Sequence, residues 1–426
     1  MAASANDQDW LKVIIEDLSQ ASVVTASCSI YRTPKRLRRV NDDAYTPHFV
    51  SIGPFHYQKG DLPAMECHKL RYMVSLLKRT TDPVEVLQTC GRHILALEWE
   101  IRRSYAESIA LEKNELARIM LLDGCFILEL LYRYSREDSR ENNDPMYDIP
   151  TLRRDLALLE NQIPFAVLDC LFKNTDGRVS SNPAYSLTTM ALKFFQPLLK
   201  LNNQHTFRAR CDLRWRHFLD LLHKCYIPRC QHFPEDQTST GTDWDFIDTV
   251  TALSEAGIKF KKGEADNLVE LEFSDGYLTI PHLEINDSTD SLFRNLIAFE
   301  QSSEGSTQYV TSYMMLMDRL IDSQKDVQLL QENRIIENNL GGCKDVSTVF
   351  NNMCKQVFVK DFYFARLCKK VNAYYNKRWN RYLAVFLRDY CSNPWRIIAL
   401  IIAGALLLSA ILQTVYTMVG FYGSQH

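Results

Sequence analysis

Apolar residues recur at three- and four-residue spacing along most of this chain. In "PAMECHKLRYMVSLLKR", residues 63–79, Met65, Leu70, Met73, Leu76 and Leu77 share one face of a helix that opens with Pro63 in its first turn. "WLKVIIEDLSQASVV" (10–24) carries the same amphipathic period. The pattern predicts further helices over 82–110, 114–134, 151–171, 184–200, 211–225, 244–255, 288–302, 307–322, 345–358 and 361–392. After Gly257 the period changes. "IKFKKGEADNLVELEFSDGYLTIPHLEI" alternates apolar and polar residues, with Asp275–Gly276 where a two-residue hairpin turn would stand. It predicts a small antiparallel β-meander packed on helices. Stretches 135–148, 173–183 and 231–243 are polar, rich in turn formers, and read as surface loops.

One apolar stretch is of another kind. From Ile397 to Leu412, 16 consecutive residues carry no charge and one polar side chain, Ser409, and the uncharged run continues to Tyr422. About 20 such residues cross a bilayer core. A transmembrane helix is therefore expected over 393–422, anchored by Trp395, Ile397, Leu412 and Tyr422, with 423–426 as a short tail. Lys377, Arg378, Arg381, Arg388 and Arg396 precede it, so the positive-inside tendency places the N-terminal part in the cytosol. The expected location is a single-pass protein of the plasma membrane, with the lipid bilayer as a partner through 395–422. The fold class follows: mainly α, with an N-terminal amphipathic helix in 1–27, one large helical domain over 28–392 bearing the β-meander, and the C-terminal span.

Composition narrows the function. A chain of 426 residues with 46% hydrophobic content can bury a large core, and a net charge of −3 lacks the basic bias of a nucleic-acid-binding surface. Its 12 cysteines are scattered singly with no CxxC pair, which fits a reducing compartment and few or no disulfides.

Familiar catalytic signatures are missing: no GxxxxGK[ST], no GxGxxG after a strand, no HExxH, no GxSxG. "HKCYIPRCQH" gathers His223, Cys225, Cys230 and His232, four soft ligand types, but at a spacing tighter than a zinc finger or knuckle. A helix end with incidental Cys and His is the simpler reading. No metal, cofactor or catalytic residue is assigned. In "SIGPFHYQKGDLPAMECHKLRYM", His56, Glu66, His68 and Lys69 offer acid–base side chains, and a loop fastened by their hydrogen bonds competes with catalysis. "LLENQIPFAVL" sets Glu160, Asn161 and Gln162 inside an apolar run that Pro164 must kink or restart. Asn295, Glu300 and Gln301 form a second set in "FRNLIAFEQ". Both sets read as polar braces of the core, partnered through backbone and side chains. Asp123 and Gly124 in "MLLDGCFILELL" mark close helix packing.

Taken together, "YTPHFVSIGPFH", "MECHKLRYM", "LLDGCFILELL", "DLALLENQIPFAVLDCLF", "LTIPHLEINDSTDSLFRNLIAFEQ" and the C-terminal apolar run resemble the plant family called domain of unknown function 247, over roughly residues 28–422. The resemblance implies a plant single-span membrane protein without an established activity. It also implies kinship with grass proteins associated with self-incompatibility loci as pollen-side recognition components. It supplies no catalytic or cofactor residues. The expected function is interaction or recognition with an unknown protein partner, another family member among the candidates, and no nucleic acid. The alternative is a membrane-associated enzyme using Glu66, His56 and their neighbours.

Overall fold

The computed structural model describes residues 28–58, 63–135, 148–175, 186–199, 210–211, 213–228, 244–264, 267–303, 305, 307–376 and 394–423. The expected N-terminal helix, most of the three expected loops, and the basic stretch 377–393 lie outside them.

The first half is organised around one helix. After the single-turn α1 (Lys35–Arg38) come α2 (Pro63–Leu77), α3 (Pro83–Ala96), α4 (Glu98–Ser104) and α5 (Lys113–Ser135). Most of α5 between Leu116 and Tyr132 is buried, because α2, α3, α7 (Phe165–Thr175) and α8 (Leu187–Leu199) pack around it. A helix that is apolar nearly all round must sit centrally. Gly124 is where α7 comes closest: a Cβ there would collide with Leu171 Cδ1.

Two expected helices are each broken in two. The 82–110 stretch divides at Leu97, whose φ of −83° and ψ of 1° end α3 before α4 begins. The 151–171 stretch becomes α6 (Ile149–Leu156) and α7, because Pro164 has no N–H to donate and biases the residue before it away from helix. Helix α9 (Phe218–Tyr226) and the short α10 (Val250–Glu255) follow.

The expected antiparallel meander is not what forms. Strand β1 (Lys259–Gly263) pairs in parallel with β3 (Tyr277–Pro281), and only β2 (Glu272–Ser274) pairs with β3 antiparallel, giving the order β1-β3-β2. Leu268 and Val269 are buried, and the Leu268 amide donates to Tyr226 O. Their burial pulls the connection off the sheet, so β2 returns on the far edge. The hairpin turn does stand at Asp275–Gly276, with φ of 51° and 80°. Strand β4 (Leu283–Ile285) pairs in parallel with β5 (Ile336–Asn338), a long-range partner that local alternation does not announce.

In the second half α11 (Asp287–Ser302) is central. It packs on α6, α12 (Tyr309–Leu320), α14 (Cys343–Met353) and the turn Asp43–Tyr45, with α13 (Gln324–Glu332) and α15 (Ala365–Tyr375) further out. The buried apolar side chains of both halves form one continuous cluster.

The C-terminus requires a correction. Helix α16 runs from Pro394 to Gly423 and exposes Ile401, Leu406, Leu407, Leu408 and Leu412. Among the described residues, no helix is long and apolar enough to cross a membrane. The expected transmembrane helix over 393–422 is thus not supported, nor is anchoring through Trp395, Ile397, Leu412 and Tyr422. Of these four, only the side chain of Leu412 is described, and it is exposed.

Candidate functional site

Between α6 and α7 the chain runs without helix through Leu158–Ile163, and every residue of that stretch is buried. Backbone freed from helix must find partners elsewhere, since an unpaired buried amide or carbonyl costs on the order of 1–3 kcal/mol. The polar side chains of the stretch supply them. Gln162 Nε2 donates to Leu156 O at 2.8 Å and Leu158 O at 2.7 Å, and its Oε1 accepts from the Leu219 amide at 3.3 Å. Asn161 donates to Val50 O and Asp155 O at 2.9 Å each and accepts from the Ile52 amide at 2.7 Å. The Gln162 carbonyl in turn accepts from Tyr105 OH at 2.9 Å.

Glu160 faces the opposite way, onto the segment that opens the described chain. It accepts from the Thr33 amide at 2.8 Å and from Arg38 at 2.7 Å, with Arg32 and His56 Nε2 each 3.4 Å away. Burial alone would push its pKa up. Contact with His56, the Arg38 guanidinium and the Thr33 amide overcome that and hold it at about 2. Asp155 gathers the amides of His48, Phe49 and Val50 at 2.7–3.1 Å, so the strand-like run before Gly53 is pinned at successive residues. Its pKa is nevertheless raised, because burial outweighs those donors and Arg154.

Gly53 closes the arrangement. Its φ is +72°, and a Cβ there would lie 2.5 Å from Gln162 O. Its amide donates to Asp123 at 2.8 Å. Asp123 forms a buried ion pair with Lys69 at 2.7 Å, and Lys69 also meets Glu66 and Ser51 O. Burial alone would lower the Lys69 pKa; the carboxylates of Asp123 and Glu66 raise it.

The second set divides. Asn295 belongs to the same network as residues 160–162, accepting from the Leu159 amide at 2.8 Å and donating to Ala44 O and Ser291 O. Glu300 sits apart, at the start of α12. It accepts from the Val310 and Thr311 amides and from Thr311 Oγ1, and lies 2.7 Å from His223 Nε2. An acidic side chain reaching free amides at a helix start acts as a cap supplied by a neighbouring helix. Gln301 is only half buried: its amide group joins Arg36 to both backbone atoms of Phe358.

His56 and Glu66 are not brought together. His56 is directed at Glu160, while Glu66 pairs with Lys69. Of the four side chains gathered in "HKCYIPRCQH", Cys230 and His232 lie outside the described residues, and His223 is engaged with Glu300. Among the described residues no group of three or more His, Cys, Asp and Glu could hold a metal ion.

Sequence reasoning missed Asp155, Arg38 and His217 altogether. His217 is buried, with Nε2 at 2.9 Å from Ser29 O while its Nδ1 accepts from the Asp220 amide at the start of α9. Burial lowers its pKa to about 4, against the pull of Asp220. The usable signal was modest: Asp155 is acidic on the apolar face of "TLRRDLALL", and His217 stands at a helix-capping position.

The chain matches the family model described as "Plant protein of unknown function", DUF247, over residues 30–409. Among curated proteins it is similar to UPF0481 protein At3g47200 of Arabidopsis thaliana, with 28% identity covering 93% of this chain and 87% of that one. It is also similar to putative UPF0481 protein At3g02645 of the same plant, with 24% identity covering 94% of this chain and 92% of that one. No solved structure matches.

Proposed function

The chain belongs to the plant DUF247 family, and from that premise we propose that it is a non-catalytic interaction protein whose interior polar residues are structural. One observation carries this reading: the polar side chains of Glu160, Asn161 and Gln162 are spent on the chain's own backbone and side chains. Asn161 and Gln162 each make three hydrogen bonds of this kind, and Glu160 is neutralised by Arg38 and a backbone amide. A general acid or base needs a lone pair or proton within reach of substrate. Buried groups matched in this way hold loops together instead. Binding then falls to the surface, where a change of side chain need not disturb the core. Buried Cys90, Cys125 and Cys368, whose thiol pKa values burial pushes up, behave as small hydrophobes and support a reducing compartment. A part in cell–cell recognition of the self-incompatibility kind is the finer form of this reading, and it rests on the resemblance of the sequence blocks alone.

The test pairs two measurements on the full chain. Proximity labelling in the native plant tissue should return a reproducible protein neighbour. A hydrolase and transferase activity screen comparing wild type with Glu66→Gln and Glu160→Gln should show no turnover. Turnover abolished by either variant while the folded state persists would overturn the proposal.

A further inference from the structure

The Gln301 clamp holds an unusual loop. After α14, Gln356 adopts a φ of +63°, and the backbone then alternates, turning Val357 and Val359 toward the core and Phe358 outward. Phe358 is 63% exposed. Gln301 pairs with its backbone as a neighbouring strand would, Nε2 donating to Phe358 O at 2.6 Å and Oε1 accepting from its amide at 3.2 Å. Arg36 donates to the same Oε1 at 2.9 Å and places its guanidinium 4.8 Å from the centre of the Phe358 ring. The Lys360 amide is fastened in turn to Gln308. The backbone that carries this exposed ring is thus held by Gln301, with Arg36 against the ring and Lys355, Lys360 and Asp361 near it in the sequence. An aromatic anchor beside an arginine is the composition of an interface hot spot, and fixing it beforehand lowers the entropy lost on binding.

A receptor of matching size lies on the same molecule. A cleft of about 230 Å³, lined about equally by polar and apolar surface, opens between Tyr226, Leu292 and Phe293, with Lys262, Glu264, His282 and Glu284 also in its lining. An apolar cavity of about 150 Å³ accepts a benzene ring, so this one has room for a phenyl group. The knob is held by the last turn of α11, whereas the cleft is walled by Thr289, Leu292 and Phe293 from its first half and by Asn286 just before it. The two ends of α11 lie about 22 Å apart at 1.5 Å per residue. Rigidly held at separate places on one body, knob and cleft meet only between molecules.

We infer that the chain associates with a second copy of itself head to tail, Phe358 of one molecule entering the Leu292–Phe293 cleft of the next while its basic surround faces Glu264 and Glu284. This deepens the interaction reading by naming one partner as the chain itself. The contact uses two different patches; arranged head to tail, one pair leaves a knob and a cleft unsatisfied, and short concentration-dependent chains follow. A contact built on one anchor belongs among small, transient interfaces.

Sedimentation velocity of the full chain, in mild detergent and over a hundredfold concentration range, tests it with two variants. Phe358→Asp removes the knob and keeps the cleft; Glu284→Lys reverses the rim and keeps the knob. Each alone should stay monomeric where wild type forms dimers and longer species. Mixed, they should recover a one-to-one dimer and stop there, since a single complementary pair remains. A benzophenone analogue of phenylalanine at position 358 should crosslink to residues 281–293 of an isotopically distinct copy. Wild type that stays monomeric throughout, or association surviving both variants as through exposed side chains of α16, would overturn the inference. Either result would leave the broader proposal to stand or fall on its proximity-labelling result.

Discussion

Two stretches without regular structure, Leu158–Ile163 and Gln356–Lys360, are held by the same chemistry with opposite results. In the first, the side chains of the stretch itself reach out and satisfy backbone from α6, from residues 50–52 and from α9. In the second, a side chain from elsewhere, Gln301, reaches in and satisfies the stretch. The inward stretch leaves nothing exposed; the outward one is fixed so that Phe358 stays exposed. Polar side chains that bind backbone are therefore no sign of function in themselves. The direction in which the apolar residues point separates structural glue from an interface.

Breaking the inward side should have the largest effect. Asn161→Ala would strip three buried hydrogen bonds at once, taking from the Ile52 amide and the Val50 and Asp155 carbonyls their Asn161 partner, and should destabilise by on the order of 3–5 kcal/mol, read from the urea midpoint. A pH titration sharpens the same side. His217 has its pKa lowered in the fold, from 6.5 to about 4, by burial against the pull of Asp220. The unfolded chain therefore takes up a proton that the fold refuses. The stability this confers is whole above pH 6.5 and lost as pH falls toward 4, on the order of 3 kcal/mol. Glu160 adds a further loss below its unfolded value of 4.5, down to its folded value of about 2. His217→Asn should flatten the upper part of that decline in denaturation curves taken at successive pH values. Gly53→Ala, which meets both a positive φ and the Gln162 carbonyl, should cost about 2 kcal/mol in thermal unfolding. The outward side predicts the least: Phe358→Asp should change stability by under about 0.5 kcal/mol, because the side chain it removes is mostly in water. A large loss there would show that Phe358 belongs to the core and would erase the contrast.

The helices of the core were readable from spacing because each contributes a continuous stripe, as in 63–77, 113–135, 287–302 and 309–320. Residues 160–162 stood out for a related reason, three hydrogen-bonding side chains interrupting an apolar run. Their partners did not stand out. Backbone groups such as Val50 O, Leu156 O and Ala44 O carry no residue signature, and Asp155 and Arg38 look like ordinary surface charges until the chain folds over them. The parallel pairing of β1 with β3 was hidden likewise, since alternation announces a strand but not its neighbour. At the C-terminus a count of uncharged residues promised more membrane-crossing helix than the described residues bear out.

The network around Leu158–Ile163 also sets a timetable for synthesis. Thr33 waits for Glu160, 127 residues later, and Ala44 waits for Asn295, 251 residues later. At about 5–20 residues per second a ribosome takes roughly 13–50 s to cover the second interval. Until then Ala44 O lacks its Asn295 partner, and residues 28–58 cannot be fully fastened to the helices already made. Chains stalled before residue 295 should accordingly be cut by protease within 28–58, whereas chains stalled after α12 has emerged should resist.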